Sequence, residues 1–338
     1  MQDVAVAAGV SRMTVSLALR NSPRISEGTR LRVAEAARVL AYVPDPVVQQ
    51  MASHLSQCRR KESGLAIAWI NAWNTRTGWR QVEPFRAMFN GAQAAAAAGG
   101  FHLDEFWIKE PGITGGKLSR ILAQRGIERI IIGPISHGGG HLTLDWEKFS
   151  VVALGYSMTA PQVNRVSNHQ LRSIRTAIRH LSRGGHWRIG LCIDKAHDVR
   201  VDQSWTTGMA QHQWETPPGQ RVAPFLSRKW DPSAMADWVV AEQPDAILTH
   251  YYQLPEILEA DSRIDPGKIT IAMLDWPGGA PHLPGIDQRH FEIGAAAVEQ
   301  VIGQANRYER GLPAIPKVYM VEGVWTEGTD RADGTVLQ

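Results

Sequence analysis

The stretch Asp3-Val4-Ala5-Val6-Ala7-Ala8-Gly9-Val10-Ser11-Arg12-Met13-Thr14-Val15-Ser16-Leu17-Ala18-Leu19 decides how the chain is read. Asp3 is placed to cap a short helix over 4–8, and Gly9 tolerates the left-handed backbone that ends one. Ser11 then caps a second helix, in which Val15, Ala18 and Leu19 share a face at helical spacing and turn inward. Arg12, Met13, Ser16, Leu17 and Arg20 are left on the outer face. Two short helices joined by a three- to four-residue turn containing glycine form the helix-turn-helix pattern, whose second helix enters the major groove by its N-terminal end. Arg12, Met13 and Ser16 would face bases there. After a loop at 21–24, Ser26 caps a third helix whose Val33, Ala36, Ala37 and Leu40 form the stripe that closes a small core.

Val43-Pro44-Asp45-Pro46 ends that helix, and Asp45 before Pro46 opens a fourth over 47–55, running on to Arg59-Arg60-Lys61. A helix that short is marginal alone, so it is expected to order on DNA or on a partner chain. Charge follows the same division. Residues 1–63 carry nine Arg and Lys against five Asp and Glu, whereas the whole 338-residue chain nets only +3. A basic head on a near-neutral body suits a protein that meets phosphate at one end. Hydrophobic content of 43% with 20% charged residues is that of a globular chain, and no apolar run reaches the ~18 residues of a membrane span. The opening residues lack a secretory pattern, and the two cysteines, Cys58 and Cys192, are too few for a disulfide framework or a thiolate zinc site. A cytoplasmic protein with structural thiols and no membrane contact is expected.

The segments Asp3-Val4-Ala5, Ala8-Gly9-Val10-Ser11, Thr14-Val15-Ser16, Ile25-Ser26, Thr29-Arg30, Val33, Ala36-Ala37 and Leu40-Ala41-Tyr42-Val43-Pro44 together resemble the DNA-binding head of lactose-repressor-type (LacI/GalR) regulators. The resemblance implies a homodimer on a palindromic double-stranded operator, with paired hinge helices in the minor groove and Met51 as the apolar wedge at the central step. It nominates Ser11, Arg12, Met13, Thr14, Ser16, Leu17, Arg20, Thr29 and Met51 as DNA-binding residues. Leu17 stands where the family usually has arginine, so operator preference should differ. The sequence begins two residues before Asp3, where relatives usually have a few more, and the segment from Met51 to Leu65 is longer than in better-known members.

Beyond residue 63, β-rich runs at 65–70, 101–108, 129–133 and 151–155 alternate with helical stretches at 85–98 and 117–125. A second series has strands at 188–193, 246–250 and 269–274 with helices at 170–183, 204–212, 234–241 and 290–310. Repeated βαβ units in two halves predict two doubly wound parallel sheets, with ligands beyond the carboxyl ends of their strands. Here Leu181 with Gly184 to Gly190, the run Ile271 to Asp275, and Gly285-Ile286-Asp287-Gln288 resemble the same family, which implies the periplasmic-binding-protein type I fold with crossovers near residues 161, 288 and 317. The expected division is a helix-turn-helix head at 1–44, a hinge helix and linker at 45–63, and an effector-binding and dimerisation body at 64–338. Its first lobe would hold 64–160 and 288–316, its second 161–287 and 317–330.

The effector site should draw on strand ends: Asn71, Trp73 and Trp79, then Trp205, His250, Tyr251, Asp275 and Trp276. Aromatic faces stack on sugar C–H surfaces or bases while a carboxylate holds hydroxyls, so a carbohydrate is the expected effector. Trp205 and Ser167-Asn168 occupy places where relatives carry arginine and Asp-Asn, so the ligand should not copy a known one. His137 to Gly140 has no accompanying nucleophile elbow, Gly112 to Leu118 fails as a phosphate loop, and His137 with His141 lacks an acidic or thiolate partner nearby in sequence. No catalytic residue, metal or cofactor is expected. The expected function is an allosterically controlled, sequence-specific transcriptional regulator, most simply a repressor. The alternatives are a solute-binding or transport-type sensor, or a regulator of a non-sugar ligand such as a nucleobase.

Overall fold

The computed structural model describes residues 1–19, 22, 25–42, 65–136, 140–276 and 282–328. The head contains α1 (Gln2–Ala8), α2 (Arg12–Leu19) and α3 (Glu27–Val39). Helix α1 begins earlier than the sequence predicts: Met1 is its N-cap, and Asp3 lies in the first turn, where its charge favours the helix dipole. Gly9 ends it at φ 62° and ψ 40°, the left-handed region glycine enters without a Cβ penalty. Ser11 Oγ accepts the Thr14 N–H at 3.1 Å and so caps α2. Val4, Ala5, Ala8, Val15, Ala18, Val33 and Ala37 form the core, with Ile25, Leu19 and Tyr42 packed around it. Leu40 is 44% exposed, because α3 ends at Val39 and the chain turns away. Tyr42, whose N–H returns to the Ala37 carbonyl, takes its place.

The body holds two six-stranded sheets. The first has the order β13 (Val318–Val321), β7 (Asn164–Asn168), β5 (Ser150–Leu154), β3 (Arg129–Ile132), β1 (Leu65–Asn71) and β2 (Phe101–Trp107), all parallel. The second has β14 (Val324–Thr326), β12 (Gly285–Asp287), β11 (Thr270–Trp276), β10 (Ala246–Thr249), β8 (Ile189–Asp194) and β9 (Phe225–Ser227), parallel except for the β12–β14 pair. A short parallel pair, β4 (Gly140–His141) with β6 (Met158–Ala160), lies beside the first sheet in sequence. Helices cover both faces, which is why central strands such as Arg129-Ile130-Ile131-Ile132 are wholly buried.

Helices α4 (Glu83–Ala98) and α11 (His290–Asn306) cover one face of the first sheet and α5 (Gly115–Gln124) the other. On the second, α6 (Gln170–Arg183) and α8 (Ser204–Glu215) take one face, α9 (Pro232–Glu242) and α10 (Leu254–Ala260) the other. Helix α7 (Lys195–Arg200) follows β8 directly, and its N-terminus is capped by Asp194. Helices α4 and α11 cross backbone to backbone. A Cβ on Gly294 would stand 1.8 Å from the Met88 carbonyl oxygen, and one on Gly91 would stand 1.9 Å from that of Phe291.

Two crossovers fall later than the sequence predicts. Strand β7 belongs to the first sheet, so the chain passes to the second lobe after Asn168 rather than near residue 161. Strand β13 also belongs to the first sheet, which puts the last passage between Val321 and Val324 rather than near 317. The middle passage lies between β12 and α11. Strand β7 was hidden because Asn164-Arg165-Val166-Ser167-Asn168 reads as polar, yet all five residues are buried. Among the described residues no acid forms an ion pair with its Arg165, which donates instead to the carbonyls of Gly155 and Met158 and to Gln162, and lies 5.0 Å from the Tyr156 ring. Cys192 is a buried free thiol pushed up to about 12 by burial, which makes it inert at neutral pH. Cys58 lies outside the described residues.

Candidate nucleic-acid interface and ligand cleft

The outer face of α2 is the expected groove-reading surface. Ser11, Arg12 and Met13 are exposed, Met13 at 74%, while Thr14, Ser16, Leu17 and Thr29 are half-buried. Ser11 Oγ also meets Thr14 Oγ1 at 2.9 Å, and Ser26 Oγ meets Thr29 Oγ1 at 2.9 Å, so these hydroxyls already order the helix starts. Arg12 and Met13 therefore stand out as the long side chains free of the head's core. Arg20, Met51, the hinge segment and His137 lie outside the described residues.

The body's cleft is built where the chain crosses between lobes. A cavity of about 110 Å³ lies there, lined from the first lobe by Phe85, Met88, Tyr156 and His290 and from the second by Gln170, His197, Arg200, Trp205 and Asp275. Its floor is a chain of hydrogen bonds. Trp205 Nε1 donates to Gln170 Oε1 at 2.9 Å, Gln170 Nε2 to Gln288 Oε1 at 2.6 Å, and Gln288 Nε2 to the Leu274 carbonyl at 2.8 Å. Asn168 joins all three passages: its Nδ2 donates to the carbonyls of Gln288 (3.2 Å) and Val321 (3.1 Å), and its Oδ1 accepts from Ser173 Oγ at 2.7 Å.

Asp275, at the carboxyl end of β11, accepts from His290 Nε2 at 2.7 Å. Burial pulls the His290 imidazole pKa down, but the charge and hydrogen bond of Asp275, with smaller help from Glu83 and Asp287, leave it net raised. On the second-lobe side His197 stacks on Trp205, with centroids 5.5 Å apart, and on His250 at 4.3 Å. Burial, then the charge of Arg200, lowers His197; burial, then His197, lowers His250 further. These two imidazoles are held neutral.

Of the eight residues expected to hold the effector, the structure brings Trp205 and Asp275 to this cavity. The others have different employment. Asn71 is buried and orders its own loop, accepting from the Trp73 N–H and donating to the Arg76 carbonyl. Trp73 packs edge-on against Phe85, and Trp79 is 2% exposed in the core with Trp69 and Phe89. Tyr251 bonds Ser227 at 2.7 Å and stacks on His250, behind the cavity wall. Trp276 and His250 are half-buried beside the lining residues without joining them. The reading from sequence missed Gln170, His197, Arg200, Gln288 and His290 as site residues, and noted Asn168 only as a place where relatives carry asparagine. Their shared signal is position, next to a crossover or at the first turn after a second-lobe strand, which becomes legible only once the crossovers are placed.

Among the described residues no group of three or more His, Cys, Asp or Glu is arranged to hold a metal, and no helix is long and apolar enough to cross a membrane. Fold and sites define a class: a helix-turn-helix head on a two-lobed α/β body of the periplasmic-binding-protein type I fold, with a cleft at its crossovers. The head, residues 1–45, matches the family model of the LacI family of bacterial regulatory proteins. The chain is 51% identical over 47 residues to the HTH-type transcriptional repressor CytR of Escherichia coli (strain K12); the match covers 14% of each protein. The match spans about one seventh of the relative's length. Among solved structures, a transcriptional regulator CelR–cellobiose complex is similar with a TM-score of 0.56 at 19% identity, covering 97% of this chain and 98% of that one. The lac repressor dimer bound to operator and the anti-inducer ONPF is similar with a TM-score of 0.55 at 16% identity, covering 96% and 97%. At such identities these likenesses show the fold.

Proposed function

We propose that this protein is a sequence-specific transcriptional regulator, most simply a repressor, whose affinity for a palindromic operator is set by a small molecule in the interlobe cleft. The carrying observation is the joint presence, on one chain, of an exposed Arg12–Met13 reading surface and a cavity whose polar floor links the passages between lobes. A ligand that changes the lobe angle changes the first lobe's presentation of the head, and the two binding events are coupled reciprocally, typically by ~1–3 kcal/mol. The effector is a carbohydrate in this reading. Aromatic and aliphatic walls from Phe85 and Met88 face ring C–H surfaces, and Asp275 accepts hydroxyl donors. The protein acts as a homodimer, as palindrome recognition requires, and neither cofactor nor catalytic step is assigned to it.

Selection of bound sequences from a random duplex library by the full-length protein, repeated with a panel of sugars, tests the reading. Enrichment of a palindrome whose yield one sugar alters is the expected result. Salt-sensitive binding to every duplex, unchanged by any sugar, would refute it, and turnover of a bound sugar by the purified protein would move the cleft to an enzyme.

A further inference from the structure

Among the described residues the guanidinium of Arg200 has no acidic partner. It sits at the last position of α7 and reaches from the second lobe across the cleft, where Nη1 donates to the carbonyls of Ile135 and, at 3.2 Å, Ser136 in the loop after β3. Its Cζ lies 5.5 Å from the Phe85 ring, also in the first lobe. No carboxylate pairs with it among the described residues, and burial lowers its pKa with no acidic charge to offset the effect. Among the described residues Nε and Nη2 make no hydrogen bond, so the fork keeps an unbonded edge on a residue that lines the cavity.

A second observation comes from the opposite wall. His290 is 8% exposed and lines the same cavity; its Nε2 is bound to Asp275 while Nδ1 is buried without a partner. The one carboxylate lining the cavity, Asp275, is thus already engaged by His290, whereas Arg200 is not neutralised. A half-buried guanidinium with two of its nitrogens unbonded pairs best with a group that presents two oxygen acceptors to its planar fork.

We infer that the effector is an anionic carbohydrate whose acidic group, carboxylate or phosphate, docks on the free edge of Arg200. The inference rests on the regulatory reading of the cleft and specifies its ligand class. Because Nη1 already holds the carbonyls of Ile135 and Ser136, the acid joins Arg200 without breaking its hold on the first lobe. Ligand charge and lobe closure then meet in one side chain. Arg200 is therefore a specificity-determining residue, and neutral sugars that fill the same space leave its charge uncompensated.

The test is calorimetric titration of the full-length protein with glucuronate, galacturonate, gluconate and glucose 6-phosphate against glucose and galactose, with inorganic phosphate alone as a further probe. An acid should bind about 10- to 100-fold tighter than its neutral isostere, the range of a charge-assisted pair. Arg200→Gln should abolish that preference. Arg200→Lys, which keeps the charge but not the fork, should spare a phosphate more than a carboxylate, so the pair of variants tells the two acids apart. Circular dichroism and melting verify that each variant is folded, and Arg200→Lys carries the test should the glutamine variant fail to fold. Equal affinity for acid and neutral isostere, absence of binding by any acid, or acid preference surviving both substitutions would overturn the inference. If a neutral sugar alone shifts operator affinity, the anionic ligand falls while the regulatory reading stands; if the chain binds no operator, the regulatory reading falls first.

Discussion

Replacing Asn168 by alanine should loosen the junction between the lobes, and the structure sets the size of the effect. Asn168 is 2% exposed and makes three hydrogen bonds, two donated to backbone carbonyls in the other two passages and one accepted from Ser173. At about 1 kcal/mol per bond, with partners left buried, the loss is about 3 kcal/mol. For a body of this size that lowers the melting temperature by about 6–12 °C, since 1 kcal/mol corresponds to ~2–4 °C. Asn168→Asp is the sharper perturbation. It keeps volume and the acceptor for Ser173, but replaces two donations with a carboxylate facing two carbonyl oxygens, so it should destabilise at least as much as alanine. Differential scanning calorimetry of the three proteins measures both. A drop below about 2 °C for alanine, or an aspartate variant as stable as wild type, would show that the amide does not hold the passages together.

Other expectations concern packing, pH and DNA. Gly294→Ala puts a methyl 1.8 Å from the Met88 carbonyl, so α4 and α11 must separate; a stability loss of about 1–3 kcal/mol in urea unfolding is expected, and none would mean the crossing yields freely. His250 and His197 are depressed, so below the unfolded histidine pKa of ~6.5 the unfolded chain binds more protons and stability falls with pH. His290, being raised, acts oppositely: its contribution is present below ~6.5 and is lost as pH rises through its folded value. His250→Gln should therefore shrink the fall in melting temperature between about pH 7 and 5.5, and an unchanged slope would count against a buried neutral pair. Arg12→Ala should lose discrimination among duplexes, whereas Arg59→Ala should weaken all duplexes and reduce the salt slope by about one; equal operator binding by Arg12→Ala and wild type would displace α2 from its reading role.

The head was legible because its pattern is local. Gly9, Ser11 and the stripe Val15, Ala18, Val33 and Ala37 act within one or two turns of themselves, and the structure packs them together. Leu40 was misplaced because periodicity cannot say on which residue a helix stops. The two sheets were legible for a similar reason, since strands covered on both faces read as apolar runs. Strand β7 broke that rule: buried Asn164 and Asn168 are satisfied by chain more than a hundred residues away, which no sequence window contains. The same blindness explains the cleft. Tryptophans at strand ends look like ligand platforms, yet Trp79 fills the first lobe's core, while Arg200 and His290 gain meaning only when crossovers bring separate elements around one cavity.

Among the described residues the Asp275–His290 pair, the amides at the passages and Arg200 all bridge the lobes, and the difference between the last two says how the cleft should work. At the passages, Asn168, Gln170 and Gln288 are buried amides bonded to one another and to backbone. Separating them would strand several polar groups away from water, so in the proposed regulator this floor would serve as the axis about which the lobes turn. Across the cleft mouth, Arg200 holds only two carbonyls of the opposite loop and keeps part of its surface in solvent. Those bonds exchange with water at little net cost, so opening is cheap on that side. A ligand shifts this balance only by its difference in affinity between open and closed forms. Contacts to the fixed floor are the same in both and contribute affinity alone; contacts completed when Arg200 swings onto the first lobe exist in the closed form only. In the proposed regulator, the side chain with the least secure bonds would thus carry the most regulatory weight. A ligand that fills the cavity without engaging it should bind yet leave operator affinity nearly unchanged.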